Sequence, residues 1–115
     1  MSVDFIKINN EETPVKWSTR AKIAWEKRSG LKWTDLFGTV DDDGNYIKLP
    51  VTPSIEQSMI LCHEALREGH RMQNVKFTIT LDQLYDYEDE YNVDTQIAKI
   101  VFPKVATEKK QNPSG

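Results

Sequence analysis

The chain has 115 residues, 38% hydrophobic and 29% charged, with a formal net charge of −3. That length supports one domain around one core, and the balance suits a water-facing globule rather than a disordered chain. No apolar run approaches the ~20 residues that span a bilayer, the N-terminus lacks the basic-then-apolar form of a signal peptide, and the single cysteine excludes an internal disulfide framework and fits a reducing cytoplasm.

Residues 3–8, with Phe5, Ile6 and Ile8, predict a strand. Residues 9–12 form a turn, and 13–17 a second strand with Pro14 near its start. The pair reads as a hairpin, which is marginal alone and must pack on helices. Ser18 or Thr19 caps a helix over 20–29 that Gly30 stops, with Ala21, Ala24, Trp25 and Arg28 on one face. Thr34 is placed to cap a short turn through Asp35, Leu36 and Phe37 that Gly38 ends. Asp41, Asp42, Asp43, Gly44 and Asn45 form the strongest turn signal, between Val40 and the run 46–49: a second small hairpin or a loop.

Ser54 and Gln57 form a capping box that opens a helix to about 68, with Gly69 as its stop. Ile55, Met59, Cys62 and Leu66, widened by Leu61 and Ala65, give it an apolar stripe and mark it as the central helix. Residues 70–78 read as irregular. Thr80 and Gln83 form a second capping box and open a helix to about 91, with Leu81, Leu84 and Tyr85 facing in and Tyr87, Glu88, Asp89 and Glu90 facing out. Residues 92–94 break it. A last helix over 95–105 turns Ile97, Ile100, Val101 and Val105 inward and kinks or ends near Phe102, because Pro103 cannot continue it. The expected fold class is α+β, a small N-terminal β-hairpin packed on a mainly helical bundle of about four helices. Residues 1–106 form its single domain and 107–115 a flexible polar tail.

Charge is unevenly spread. Residues 1–33 are rich in bases (Lys7, Lys16, Arg20, Lys22, Lys27, Arg28, Lys32), whereas 80–94 carry only acids (Asp82, Asp86, Glu88, Asp89, Glu90, Asp94). One end can therefore attract the other, within a molecule or between neighbours. Catalytic chemistry is hard to place. Cys62, His63 and His70 are the soft metal ligands besides methionine, but Cys62 and His63 diverge on a helix and Gly69 is expected to end that helix before His70. Cys62 is then a small core hydrophobe, and both histidines face water. The acidic turn at 41–44 lacks the glutamate of a calcium loop six residues beyond its glycine, where Pro50 stands. No Gly-x-Ser-x-Gly or phosphate-cradling glycine run occurs, and the carboxylates sit in charge-dense, exposed-looking stretches. The expectation is no enzyme, no cofactor and no metal.

Two binding readings remain. Arg20, Lys22, Lys27 and Arg28 interleaved with Trp17, Trp25 and Trp33 could form a stacking platform for a small nucleic-acid-associated regulator, against an acidic balance with pI near 5.4. Three tryptophans and four tyrosines in so small a chain suit a protein-binding module, where such rings act as anchors. Tyr87, opposite Tyr85, is the candidate exposed ring of that module.

The order of features resembles a known family. It runs from Phe5-Ile6-Lys7-Ile8 and Pro14-Val15-Lys16-Trp17 to a helix ending Glu26-Lys27-Arg28-Ser29-Gly30. Trp33-Thr34-Asp35-Leu36-Phe37 follows, then the helix Ile60-Leu61-Cys62-His63-Glu64-Ala65-Leu66-Arg67-Glu68-Gly69 and the capped start Thr80-Leu81-Asp82-Gln83-Leu84. Over residues 5–102 this is similar to the tail assembly chaperones of long-tailed bacteriophages, with the loop at 41–46 as an insertion and Pro103 as an interruption. The resemblance implies a non-enzymatic protein of the host cytoplasm, absent from the mature virion. It implies a homo-oligomer that transiently coats the helical tape measure protein and recruits tail tube protein subunits, with no membrane and no nucleic acid. It also implies a longer frameshifted form, for which Lys109 and Lys110 could supply the slippery site. Composition, not a family pattern, nominates the contact residues: Trp25, Trp33 and Phe37 as apolar contacts, and Tyr87, Glu88 and Glu90 as an acidic rim.

Overall fold

Two asparagines decide the first turn. Asn9 and Asn10 take φ of 55° and 63°, the left-handed pair that a two-residue hairpin turn requires. Strands β1 (Asp4–Ile8) and β2 (Glu11–Val15) therefore pair antiparallel from Ile8 opposite Glu11 to Asp4 opposite Val15. The turn is shorter than residues 9–12, and the second strand begins earlier and ends before Trp17. The computed structural model describes residues 2–103. The expected inward Val105, the polar tail at 107–115 and the Lys109–Lys110 pair lie outside the described residues.

Ser18 caps helix α1 (Thr19–Ser29), its hydroxyl accepting the Ala21 N–H at 3.2 Å, and Gly30 closes the helix at φ 79°. A 3-10 turn (Trp33–Leu36) leads to a short pair, β3 (Thr39–Val40) and β4 (Tyr46–Lys48). Helix α2 (Ile55–Met72), α3 (Leu81–Tyr91) and α4 (Val93–Val101) follow among the described residues. The fold is α+β as expected, an N-terminal hairpin on four helices. Both capping boxes form, Ser54 with Gln57 and Thr80 with Gln83.

Helix α2 is the axis of the core. Met59, Ile60, Leu61, Cys62, Ala65 and Leu66 are buried, and so are His63, Glu64, Glu68 and His70. Trp25, Val15, Leu84, Val93 and Ile97 close around it. Three expectations fail here. Gly69 does not stop α2: a Cβ there would lie 2.4 Å from the carbonyl carbon and oxygen of Pro14, so the glycine lets the helix backbone press against β2 while the helix runs on. His63 and His70 are both buried, with Phe77 beside each, rather than facing water. Ile55 does not join the apolar stripe: it begins the helix and stands 83% exposed.

The hairpin is fixed at both edges. Gln96 on α4 accepts the Lys7 N–H at 2.8 Å and donates to the Lys7 carbonyl at 3.0 Å, as a further strand would. Lys7 thus points its amide away from β2, and by alternation so does the position opposite Phe5. That position is Pro14, whose missing N–H costs the ladder nothing. Beyond β2, the Lys16 N–H reaches the Ala65 carbonyl at 2.9 Å. Helix α4 starts at Val93 because Asn92, at φ 52°, redirects the chain in a single residue. It ends at Phe102, before Pro103, as expected.

Candidate functional site: an uncovered arm

The contact residues nominated by composition scatter once the chain folds. Trp25 is 0% exposed and donates its indole N–H to the Gln57 carbonyl at 2.9 Å; it is core, and the expectation of a surface contact is corrected. Trp33 is half-buried within rings: Trp17 at 5.3 Å, Trp25 at 6.0 Å, Phe37 at 5.2 Å and a stacked Phe102 at 5.5 Å. Lys22 lies over its ring as well. The Trp17 indole N–H is buried there without a hydrogen-bond partner. These tryptophans are spent on one another, which removes the open stacking faces a nucleic-acid platform needs. Arg28 is likewise spent, on Glu64.

The acidic rim dissolves too. Tyr87 is half-buried against the core and its ring meets Tyr91 at 6.1 Å, so it is not an exposed ring. Glu88 turns back to accept the Asp94 N–H at 2.7 Å at the start of α4. Glu90 alone of the three stays exposed.

The buried polar groups on α2 form a second cluster, one that sequence reasoning placed in water. Arg28 Nη1 reaches Glu64 at 2.5 Å and donates to His63 Nδ1 at 3.0 Å. His63 Nε2 must then carry the ring hydrogen, which it donates to the Ile79 carbonyl at 2.9 Å. Burial holds the His63 pKa below its ordinary value; the Ile79 carbonyl and Glu64 oppose this, and Arg28 and Arg67 add to it. The Phe77 ring sits 5.1 Å from His63 and 5.0 Å from His70, with Arg67 over it. Glu68 accepts from Arg71 and Ser18, and the Arg71 bond holds its carboxyl below the usual range. A carboxylate whose pKa an arginine lowers, as Arg71 does for Glu68, is a poor proton donor, and the bonds of this cluster tie the chain at 77–79 and α1 to α2. Burial pushes the Cys62 thiol far up, toward an inert core thiol, with its Sγ 3.8 Å from Asp94. Among the described residues no group of three His, Cys, Asp or Glu is placed to hold a metal ion, and no helix is long and apolar enough to cross a membrane.

What remains uncovered is the segment around β3 and β4. Gly38, at φ 70°, lets its two roots cross: a Cβ there would lie 2.5 Å from the Lys48 carbonyl. Asp35 holds the crossing, pairing with Lys48 at 3.1 Å while its carbonyl accepts the Val51 N–H at 2.8 Å. The Lys32 N–H, then Lys48, keep the Asp35 carboxyl below the usual range. At the tip Asp41 accepts the N–H groups of Asp43 and Asn45, both at 2.9 Å. Every residue of both strands is exposed. Of the large exposed apolar side chains among the described residues, Phe37, Val40, Tyr46, Ile47, Leu49 and Ile55 belong to this arm and its roots, and only Phe5, Ile23 and Val75 lie elsewhere. Ile47 is 71% and Leu49 70% exposed. A concentration of that kind marks an interaction surface. Phe37 is the one nominated apolar contact that belongs to it. The apolar residues Val40, Tyr46, Ile47 and Leu49 on either side of the Asp-Gly turn were the available signal, but the sequence does not say which strands find a helix to lie on. Comparison with protein-family models, curated proteins and solved structures finds no match.

Proposed function

We propose that this chain is a non-enzymatic protein-binding module that grips another polypeptide through the arm at residues 37–55. The observation that carries the reading is the exposure of Val40, Tyr46 and Ile47 on two strands with no buried residue, and of Phe37, Leu49 and Ile55 at their roots. Leaving such side chains in water forgoes about 1.5–3 kcal/mol each, a loss that a bound partner recovers. The three aspartates at the tip favour fast, salt-sensitive encounter over tight holding.

In the form that the resemblance suggests, the module is a tail assembly chaperone in the host cytoplasm. Its client is the long helical tape measure protein, and tail tube subunits follow. The roots of the arm, Phe37, Leu49 and Ile55, are the contact assigned to the client, since apolar ridges of a helix seat on such side chains. Co-expression with a very long helical protein encoded beside its gene is the test. The client co-purifies with the natural chain and is lost with Leu49→Asp and Ile55→Asp combined, while circular dichroism stays unchanged. Retention of the client by that folded variant overturns the assignment to the arm. A gene neighbourhood with neither a tube protein nor a very long helical protein overturns the phage reading.

A further inference from the structure

Helix α4 ends against the root of the arm. Phe102 stacks on Trp33 at 5.5 Å and meets Phe37 at 6.2 Å, so the chain leaves the described residues, at Pro103, beside the place where the arm begins. The sequence that follows, residues 104–110, carries Lys104, Lys109 and Lys110 against Glu108 alone, with Val105 among them. The arm is opposite in charge. Asp41, Asp42 and Asp43 form its exposed tip, and its one base, Lys48, is already paired with Asp35.

We infer that residues 104–110 are the first ligand of the arm: their lysines meet the aspartates of the tip, Val105 meets the apolar root, and a client has to displace them. The inference rests on the arm being the binding site, and it adds how that site is regulated and what a client brings to it. Reach agrees. The six residues from Pro103 to Lys109 span at most about 20 Å, and the five from Phe37 to Asp42 at most about 17 Å. Exposed ion pairs are individually weak, but so short a tether holds the lysines at an effective concentration near the millimolar range. The other acidic surface, on α3, is a poorer match. Leu84 is buried there and Tyr85 and Tyr87 pack on the core, so the exposed Asp82, Asp86, Asp89 and Glu90 share their helix with no exposed apolar side chain.

Two properties follow for the site. Covered by residues 104–110, the apolar root is withheld from chance contacts. A client that opens it presents lysine or arginine beside apolar residues, since it takes over the same aspartates.

A nitroxide label at Gln111→Cys on the full chain tests the contact, since the Cys62 thiol is buried and escapes labelling. Isotope and label are placed on the same chain and diluted into unlabelled protein, so that contacts within one molecule are read. The backbone amides of 40–48 broaden at low salt and recover at high salt. Asp42→Lys with Asp43→Lys lowers that broadening at least threefold, and adding Lys109→Glu with Lys110→Glu restores it. Alone, Lys109→Glu with Lys110→Glu recovers at least twofold more of the co-expressed long helical protein. Arm amides that stay sharp at low salt overturn the inference, as does broadening that falls on 81–91 instead or that survives Asp42→Lys with Asp43→Lys. Equal or lower recovery of the client overturns the competition. If the arm amides stay sharp while the Leu49→Asp/Ile55→Asp variant still loses its client, this inference falls and the protein-binding reading stands. If they broaden as stated while that variant keeps its client, the contact stands and the arm is not the client's site.

Discussion

Helix α2 and the β3–β4 arm are built from similar amounts of apolar sequence and put it to opposite use. Around α2, nearly every side chain from Met59 to His70 is out of water, charged ones included, and each buried charge has a partner. On the arm, no strand residue is buried, and order comes from local bonds: the Asp41 turn, the Gly38 crossing and the Asp35–Lys48 pair. The core gains stability from its apolar groups, and the arm keeps its own in reserve. Substitutions should therefore separate the two regions cleanly, with stability falling in one and binding in the other.

The largest expected effect is at Trp25. Trp25→Ala removes a fully buried ring and a hydrogen bond to Gln57, and should cost about 4 kcal/mol, read from urea unfolding. Next comes Gly69→Ala, whose Cβ meets the Pro14 and Val15 backbone. It should cost about 3 kcal/mol, since backbone cannot rotate away as a side chain can. An equal midpoint for this variant and the natural chain would show that the helix-on-strand contact is looser than the geometry states.

Acid sharpens the comparison within the core. Burial lowers the pKa of His63, whereas the unfolded chain takes up a proton near the ordinary histidine value of about 6.5. The stability this group contributes is complete above that pH and is lost as pH falls below it. The urea midpoint should fall as pH drops below about 6.5, and His63→Gln should flatten that fall. A drop of equal size in the variant would assign the acid sensitivity elsewhere. The smallest effect belongs to the arm: Ile47→Ser should change stability by less than about 0.5 kcal/mol. A cost near that of a core substitution would mean the arm is seated on the body after all.

Much of the body was legible in the sequence because its signals are local. Ser18, Ser54 and Thr80 announce helix starts by accepting the amide three residues on, and ends are announced as locally, by the left-handed turn at Gly30 and by Pro103, which cannot continue a helix. Gly69 misled for an instructive reason. A glycine that ends a helix and a glycine that admits a neighbouring backbone look the same until Pro14 is seen against it. The same gap hid the site. Whether Trp25 or Ile47 meets water is decided by which elements touch α2, a non-local fact that periodicity does not carry. The rings looked adhesive by type, yet Trp33 and Tyr87 were claimed by other rings, and Glu88 by the amide of Asp94.

The Gln96 bond to Lys7 spans almost the whole described chain, and the Tyr91 hydroxyl joins Asn9 across a similar distance. During synthesis the first hairpin therefore emerges long before its clasp exists. Long-range closure is slow, and partly made chains carry open strand edges. A nascent chain stalled before residue 96 should have β1 unlatched, with Ile6 and Ile8 within reach of chaperones, and translation through α4 should seal it.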